Sequence, residues 1–199
     1  MKIVLLAGYA GSGKDTVGAL FTKAGYKRVA FADRVKTHSA EIHGFPFELT
    51  QTQEGKSTVV KSKSSKLEAP VRWFLIDESR RMKEVSNDPA YWARAVSTDI
   101  RTLNQNIVIT DWRYKAEYNL IKEQFPNATI MRVRVLRNVV VSDDPSEHEI
   151  DHEHYDCVLR NYGTLDDLRA EIQTYFPELE SEKIEYELRF PQKPRKTNQ

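Results

Sequence analysis

The sequence predicts a three-layer α/β sandwich built around a central parallel sheet. The chain opens on residues 2–7, a continuous apolar run typical of a strand that is buried on both faces. Strand-like and helix-like segments then alternate along the chain, as the crossover connections of a parallel sheet require. We therefore expect helices to cover both faces of this sheet.

The first elements follow from spacing and from glycines. Apolar positions at helical spacing predict a helix over 15–23, and Gly25 is its stop signal. The next β-prone run predicts a second strand over 26–31. Asp33 then stands at the start of a helical pattern that runs towards His43.

The middle of the chain should be mostly helical. Residues 50–68 are rich in Lys, Ser and Thr and lack periodicity, which predicts a mobile, basic surface loop. Two helical patterns follow over 69–85 and 89–104, the second opened by an Asn-Asp-Pro signal.

The last third should complete the sheet. We predict strands over 106–110, 129–136 and 156–159, and helices over 114–124 and 164–175. A charged stretch lies between the last two strands, and Thr164 is in position to cap the last helix.

Length and charge indicate one domain without a polyanionic macromolecular partner. The chain has 199 residues, which is enough for one well-formed core, so we assign 1–190 to one domain and expect 191–199 to be disordered. Its 30 basic and 29 acidic residues create no global field. We expect neither a nucleic acid nor a membrane as a partner, and the sequence leaves a homodimer open.

Cysteine content and hydropathy favour a cytoplasmic protein. Cys157 is the single cysteine, which excludes an internal disulfide framework and fits a reducing compartment. We expect it to be a small buried hydrophobic residue. The opening apolar run is too short for the core of a signal peptide, and no other stretch approaches membrane-spanning length.

Residues 8–16, Gly-Tyr-Ala-Gly-Ser-Gly-Lys-Asp-Thr, match the Walker A phosphate-binding pattern up to its lysine. Glycines let successive N–H groups face a phosphate, and a helix N-terminus adds partial positive charge. The pattern predicts a P-loop NTPase fold that binds ATP. We expect Lys14 to bridge the β and γ phosphates and to stabilise the phosphoryl group in transfer. The expected ATP-binding residues of this stretch are Gly8, Gly11, Ser12, Gly13, Lys14, Asp15 and Thr16.

Asp15 stands where Ser or Thr usually follows the lysine, and Thr16 comes one place later. This spacing resembles nucleoside monophosphate kinases more than GTPases or motor ATPases. It implies that Mg²⁺ is held largely through water. Asp15 either orders such a water or only caps the helix, and the two interpretations weigh equally.

Three further segments, taken with the phosphate loop, resemble the deoxynucleoside monophosphate kinase family of bacteriophages and large DNA viruses. They are Phe31-Ala-Asp-Arg-Val-Lys36, Val108-Ile-Thr-Asp111-Trp-Arg113 with Glu117 downstream, and Asp156-Cys-Val-Leu-Arg-Asn161-Tyr-Gly-Thr164. The resemblance spans about residues 1–175, and only the phosphate loop is specific by itself.

The resemblance implies a kinase that uses ATP and Mg²⁺ to convert a (deoxy)nucleoside monophosphate to the diphosphate. It also implies a helical acceptor-binding region over about 37–105 and a lid over about 138–154. If the source is viral, the expected location is the host cytoplasm.

Asp33 and Lys36 resemble an Asp-x-x-Arg element whose basic residue grips the acceptor phosphate in such kinases. Lys36 replaces the arginine and brings a point charge without the bidentate fork. We therefore expect Arg34, Arg72 or Arg113 to help it. The alternative, an ordinary solvated lysine, weighs equally.

Asp111 ends a predicted strand at the carboxyl edge of the sheet, where open α/β folds bind ligands. We expect Asp111 to order a magnesium-bound water or a substrate group, and Arg113 to contact a phosphate during catalysis. The alternative is a structural pair between these two side chains. Glu117 is a weaker candidate, and pairing with Arg113 alone would explain it.

Arg137, at the end of a predicted strand, is the expected lid arginine that completes the catalytic site on closure. Arg132 and Arg134 alternate along the same strand and should be surface charges on one face. By the resemblance, Asn161 lies in a loop near the adenine, and a plain turn is the alternative.

Four side chains of zinc-binding type occur within ten residues, namely His148, His152, His154 and Cys157. The acidic residues between them, Glu149, Asp151 and Glu153, instead predict a solvated acidic face, which argues against zinc.

Three other functions remain open at this point. A P-loop kinase for another acceptor, such as a pantetheine or mevalonate phosphate, would share everything up to Thr16. A nucleotide-dependent switch or nucleic-acid motor is disfavoured because the chain has no Asn-Lys-x-Asp motif. A regulator that binds ATP without catalysis is the third. The sequence does not specify the base or the sugar of the acceptor.

Overall fold

A computed structural model describes residues 1–141, 143 and 147–180 of the chain. The strands are β1 (Lys2–Ala7), β2 (Lys27–Val29), β3 (Val59–Lys61), β4 (Glu68–Pro70), β5 (Ile107–Ile109), β6 (Thr129–Leu136) and β7 (Cys157–Arg160). The helices are α1 (Lys14–Lys23), α2 (Phe31–His43), α3 (Gln53–Ser57), α4 (Val71–Val85), α5 (Tyr91–Arg101), α6 (Lys115–Gln124) and α7 (Leu165–Tyr175). Short 3₁₀ turns occur at Phe47–Thr50 and Pro177–Glu180.

Five strands form a parallel sheet in the spatial order β2-β5-β1-β6-β7, which confirms the predicted fold class. β1 lies in the middle and pairs with β5 on one side and β6 on the other. This central position explains its uninterrupted apolar sequence, because both of its faces are covered. β1 also points the segment that follows it at the carboxyl edge of the sheet.

Two apolar cores cover the two faces of the sheet. Since successive side chains of a strand point to opposite faces, Ile3 and Leu5 join one core and Val4 and Leu6 the other. Residues of α5 and α6 pack in the first core, and residues of α1 and α7 in the second. The result is the predicted three-layer sandwich.

A third core supports the region between α2 and α4. Its buried members come from α2, the turn after it, β4 and α4, and they are Ala40, Phe45, Ala69, Val71 and Phe74. Strands β3 and β4 pair as an antiparallel hairpin beside this core. The region therefore has a packed interior of its own, next to the main sheet.

A mobile surface loop was expected over 50–68, but this stretch has regular structure. It contains α3 and β3, and β4 begins at its last residue, Glu68. The elements have five, three and three residues, which is too short to show a hydrophobic period. Thr52 supplied a local signal, since its side chain caps α3 by accepting the N–H of Gly55 at 3.0 Å.

The other predicted elements are present, with differences at their ends. β1 and β6 have the predicted bounds, whereas β2 ends at Val29 because α2 already begins at Phe31. α5 ends at Arg101, three residues before the predicted end. The extent of the domain over 1–190 stays a prediction, and the tail over 191–199 lies outside the described residues.

Cys157 lies in the core shared by α1 and α7, which confirms its expected role as a small hydrophobic residue. Burial raises the pKa of its thiol to about 12, and the charges of Glu171 and Asp156 act in the same direction. In the part of the chain that the structure describes, no helix has both the length and the apolar character needed to span a membrane.

Thr164 caps the N-terminus of α7, as the sequence suggested, and Asp167 completes a reciprocal pair with it. Asp167 N–H donates to Thr164 Oγ1 at 3.2 Å, and Thr164 N–H donates to Asp167 Oδ2 at 2.8 Å. We expect Thr164→Ala to lower the free energy of unfolding by about 1 kcal/mol in urea titrations, because an amide of the first turn loses its acceptor. Thr174→Ala, which removes an exposed hydroxyl within the same helix, should cost less than about 0.5 kcal/mol. Equal losses would contradict this role.

Candidate active site

The phosphate loop, residues 8–13, joins the central strand β1 to α1 at the carboxyl edge of the sheet. Gly11 and Gly13 have φ values of 76° and 98°, a left-handed conformation that glycine adopts without strain. Ser12 N–H donates to Tyr9 O at 3.1 Å and closes the turn. The first N–H groups of α1 have no partner inside the helix, so the curled loop ends on a ready anion-binding terminus. Sheet order and loop together give the α/β fold of a P-loop NTPase.

The loop packs tightly against the strands beside it. A Cβ added to Gly8 would lie 2.4 Å from the carbonyl oxygen of Val135, and one added to Gly13 would lie 2.3 Å from Asn161 Nδ2. Asn161 Nδ2 donates to Ser12 O at 2.9 Å, so this side chain braces the loop. The predicted role of Asn161 near the adenine stays a prediction, and its observed contact is with the phosphate loop.

Lys14 and Ser12 both place polar groups inside the loop. Lys14 Nζ donates to the carbonyl oxygens of Gly8 and Tyr9 at 2.5 and 2.9 Å. Burial and the charge of Arg113 lower the pKa of Lys14, against nearby carboxylates that raise it. Ser12 is 1% exposed, and its Oγ has no hydrogen-bond partner in the described chain. An enclosed ammonium and an unpaired hydroxyl fit a bound phosphate, which would accept hydrogen bonds from both.

Arg113 reaches the phosphate loop from the end of β5. It lines a small pocket beside the loop, and the lining residues are Gly8, Trp112, Arg113, Arg134, Glu147 and Ile150. Arg113 Nη1 lies 3.1 Å from Glu147 Oε1. Its charge lowers the pKa of Lys14, so two expected catalytic residues are close enough to act on one anion.

Asp111 anchors α2 to the edge of the sheet. Its two carboxylate oxygens accept the N–H groups of Phe31 at 2.9 Å and Ala32 at 2.8 Å, which are first-turn amides of α2. Burial raises the pKa of Asp111, and these two N–H groups oppose the rise. The sequence did not suggest this capping role. The expected contact of Asp111 with magnesium-bound water stays a prediction.

Glu117 fixes the backbone that carries Arg113. Its Oε2 accepts the N–H groups of Arg113 at 3.0 Å and Tyr114 at 3.1 Å, and its side chain is almost completely buried. The sequence suggested a side-chain pair between Glu117 and Arg113. The contact that the structure gives is with the backbone instead.

Three basic side chains lie near enough for their charges to interact, and we call Lys36, Lys56 and Arg72 the cationic cluster. Burial, followed by the charges of Lys36 and Arg72, lowers the pKa of Lys56, whereas the charge of Asp15 raises it. Within the described residues, Lys56 Nζ makes no hydrogen bond or ion pair. Lys36 Nζ lies 3.3 Å from Asp33 Oδ1, and Arg72 donates to Gln53 Oε1.

Arg34 and Arg137, two other expected basic residues, have different surroundings from the cationic cluster. Arg34 Nε donates to Asp99 Oδ2 at 2.7 Å, which engages its guanidinium with α5. Arg137 is exposed after β6 and has no ion pair among the described residues. Its role in the lid stays a prediction, and part of the predicted lid, 142 and 144–146, lies outside the described residues.

A solvated acidic face was expected at Glu149, Asp151 and Glu153. Glu149 is exposed, whereas Asp151 and Glu153 are only partly exposed and each has a basic partner. We call residues 147–153 the acidic segment, and it contacts the phosphate loop. Glu147 Oε2 accepts the N–H of Ala10 at 3.1 Å, and Asp151 Oδ2 accepts the hydroxyl of Tyr9 at 2.8 Å. Ile150 is buried in the core of the main sheet. The segment is docked on the phosphate loop because its carboxylates find donors there and its isoleucine anchors it.

Arg132 and Arg134 lie on one face of the sheet, as expected, but they are not surface charges. Their side chains are 16% and 11% exposed, and they pair with Asp156 and Asp151. Burial alone would raise the pKa of Asp151, but its hydrogen bonds, first among them that of Arg134, lower it to about 2. Buried arginines are tolerated here because each has a carboxylate partner.

The four candidate zinc ligands have other surroundings. His148 lies against Asp151, His154 lies against Arg132, Cys157 lies in the apolar core, and His152 is exposed. Over 1–141, 143 and 147–180, no group of three or more His, Cys, Asp or Glu side chains could hold a metal ion. Asp15 and Thr16 are both exposed on the first turn of α1, and the expected role of Asp15 in ordering a magnesium-bound water stays a prediction.

Sequence reasoning missed Lys56 and the acidic segment. Lys56 follows the Thr52 capping signal of α3, which was readable but lay in a stretch without periodicity. Glu147 and Asp151 showed only alternating charge, which does not specify a partner. Their donors Ala10 and Tyr9 are 137 and 142 residues away in the chain.

No family model and no curated protein sequence matches the chain. Among solved structures, the chain is similar to TT1252 from Thermus thermophilus, with 17% identity and a TM-score of 0.48 over 89% of this chain and 97% of that one. It is also similar to dephospho-CoA kinase from Campylobacter jejuni, with 11% identity and a TM-score of 0.47 over 89% and 97%. Shikimate kinase from Aquifex aeolicus gives 12% identity and a TM-score of 0.44 over 92% and 98%. The fold stated above stands on the sheet order and the phosphate loop rather than on these likenesses.

Glu117 should make the stability of the fold depend on pH. Burial raises the pKa of its carboxyl from 4.5 to about 8, although backbone N–H groups oppose the rise. Between these values the unfolded chain releases the proton and the folded chain keeps it, so the free energy of unfolding falls as pH rises. Relative to Glu117→Gln, we expect the unmodified chain to lose on the order of 3 kcal/mol between about pH 5 and about pH 8.

Urea titrations at several pH values measure this difference. Glu123→Gln, which changes an exposed carboxylate on the same helix, is the matched control and should follow the unmodified chain. Parallel curves for Glu117→Gln and the unmodified chain would show that the Glu117 carboxyl is not protonated in the fold.

Proposed function

We propose that this chain transfers the γ-phosphoryl group of ATP to a small acceptor that already carries a phosphate. The acceptor that the sequence favours is a (deoxy)nucleoside monophosphate, and the products are then the diphosphate and ADP. The single observation that carries this proposal is the cationic cluster beside the phosphate loop.

Keeping Lys56 protonated in the cationic cluster is unfavourable when no anion is bound. Lys56 is partly buried, the charges of Lys36 and Arg72 both disfavour its protonated form, and in the described chain its ammonium has no carboxylate partner. A phosphate monoester carries the charge and the acceptor oxygens that such a cluster lacks. A neutral hydroxyl acceptor would leave this repulsion in place. The cluster therefore supports an anionic acceptor over an uncharged one.

The donor side provides the second anion site. The α1 terminus, Lys14 and Arg113 surround the position where the β and γ phosphates of ATP would lie. The charge of Asp15, on the first turn of α1, acts on both Lys14 and Lys56, which supports donor and acceptor anions near this turn. Phosphoryl transfer requires that the two polyanions be held close together.

The reaction needs no base on the protein. An ionised oxygen of the acceptor phosphate attacks the γ-phosphorus, the bond from this phosphorus to the bridging oxygen breaks, and its electron pair stays on ADP. Lys14 and Arg113 would stabilise the charge that spreads over the transferring group. When bound, Mg²⁺ would neutralise phosphate charge and orient the nucleotide. The role expected of Arg137 is to add a positive charge on closure.

Acceptor screening tests the proposal directly. Purified chain with radiolabelled ATP and Mg²⁺ should transfer label to at least one member of a panel of (deoxy)nucleoside monophosphates and not to the matching nucleosides. Transfer only to a pantetheine or mevalonate phosphate would keep the phosphorylated acceptor and overturn the nucleotide assignment. ATP binding with no transfer to any acceptor would indicate the non-catalytic regulator.

Lys14→Ala should lower kcat by two or more powers of ten, because the ammonium contacts the transferring phosphate more strongly in the transition state than in the ground state. Initial rates with the preferred acceptor measure the effect. Lys122→Ala, an exposed lysine on α6, is the control and should leave kcat unchanged. Full activity of Lys14→Ala would contradict the assigned role.

Lys56→Ala should weaken acceptor binding and leave ATP binding unchanged. Loss of one charge-assisted contact to phosphate corresponds to about a 10- to 100-fold rise in the KM of the acceptor. The Kd of ATP, measured by calorimetry, should stay within about twofold, since Lys56 is not part of the donor site. A rise in the Kd of ATP with an unchanged KM for the acceptor would contradict the assignment, because Lys56 would then contact ATP rather than the acceptor.

A further inference from the structure

Glu147 places a carboxylate at the phosphate loop. Its Oε2 accepts the N–H of Ala10 at 3.1 Å, and its Oε1 lies 3.1 Å from Arg113 Nη1. The Glu147 side chain is only 9% exposed, and its charge raises the pKa of Lys14. One acidic side chain thus contacts a loop amide and an arginine of the expected site, and its charge acts on the loop lysine.

These contacts are of the kind that a nucleotide phosphate would make. A phosphate at this loop accepts hydrogen bonds from backbone amides and pairs with Lys and Arg side chains. A carboxylate has the same charge sign and the same acceptor chemistry. In the chain without nucleotide, the Glu147 carboxylate therefore occupies a loop amide and an arginine that a nucleotide phosphate would contact.

The neighbours of Glu147 hold it at the loop. Asp151 Oδ1 lies 2.6 Å from Arg134 Nη2, and Glu153 Oε1 lies 2.9 Å from Lys115 Nζ. Ile150 is buried in the core between these contacts. An anion tethered in this way has a high effective concentration at the site, so it competes with a free ligand better than a dissolved carboxylate would.

We propose that Glu147 is an internal competitor of the nucleotide phosphate, an autoinhibitory contact that ATP must displace from the loop amide and from Arg113. The inference rests on the proposed function, because it assigns a regulation to the same donor site. Displacement also breaks the contact between Arg113 and Glu147, so nucleotide binding and the contacts of this arginine are coupled. The affinity for ATP is then the difference between two anions competing for one site.

Calorimetric titration of ATP with Mg²⁺ into the full chain tests this inference. We expect Glu147→Gln to bind ATP about 5- to 30-fold more tightly, because the neutral amide competes less for Ala10 and Arg113. Glu147→Ala removes the competing acceptor entirely and should gain at least as much. Thermal unfolding of each variant confirms that it is folded before titration.

Glu149→Gln is the matched control. It removes the same charge from the acidic segment, and Glu149 Oε1 accepts only the N–H of Lys115, at 3.1 Å, in the contacts described. Its Kd for ATP should stay within about twofold of the unmodified chain, which separates displacement at the loop from a change in net charge.

Different results would overturn the internal competitor and the proposed kinase function. Equal or weaker ATP binding by folded Glu147→Gln and Glu147→Ala would overturn the internal competitor and leave the proposed function standing. A matching gain by Glu149→Gln would also overturn it, because net charge alone would then explain the effect. Absence of ATP binding in every variant and in the unmodified chain would overturn the proposed function itself.

Discussion

The positive site at the carboxyl end of β1 must always be matched by an anion, and much of the structure follows from this electrostatic constraint. The α1 terminus, Lys14 and Arg113 concentrate positive charge at the phosphate loop, and Lys14 is largely buried there. Asn161 holds the loop in the shape that creates this charge. Glu147 balances it when no nucleotide is bound. Binding at this site is thus an exchange of anions rather than the filling of a neutral cleft.

The carboxylate of Asp111 joins the sheet edge that carries the phosphate loop to the first turn of α2. Asp111 follows β5, which pairs with β1, and its oxygens hold the first turn of α2. α2 carries Lys36 of the cationic cluster, so the position of Lys36 is set by the same sheet edge that sets the phosphate loop. Under the proposed function, this capping contact would help to fix the distance between the two substrates.

The pKa values of the buried ionisable groups around the site depend on whether each group has a partner of opposite charge. Arg134 is matched by Asp151, whose pKa falls to about 2. Glu117 forms no ion pair within the described residues, and burial raises its pKa to about 8 although the charge of Lys83 opposes the rise. Both outcomes obey the rule that a charge leaves water only when an opposite charge replaces the lost hydration. Their common effect is a rigid frame for the arginines that face the loop.

The sequence by itself determined the phosphate loop, the central strand and the main helices, because glycine spacing and hydrophobic period are local signals that neighbouring residues carry together. Only the tertiary structure decided that Asp111 caps α2, that Lys56 joins Lys36 and Arg72, and that Glu147 reaches Ala10. These contacts join residues that lie far apart in the chain, and the strand order β2-β5-β1-β6-β7 brings the sheet edges together. Alternation of strands and helices predicts a parallel sheet but not the order of its strands, so no local pattern could reveal these partners.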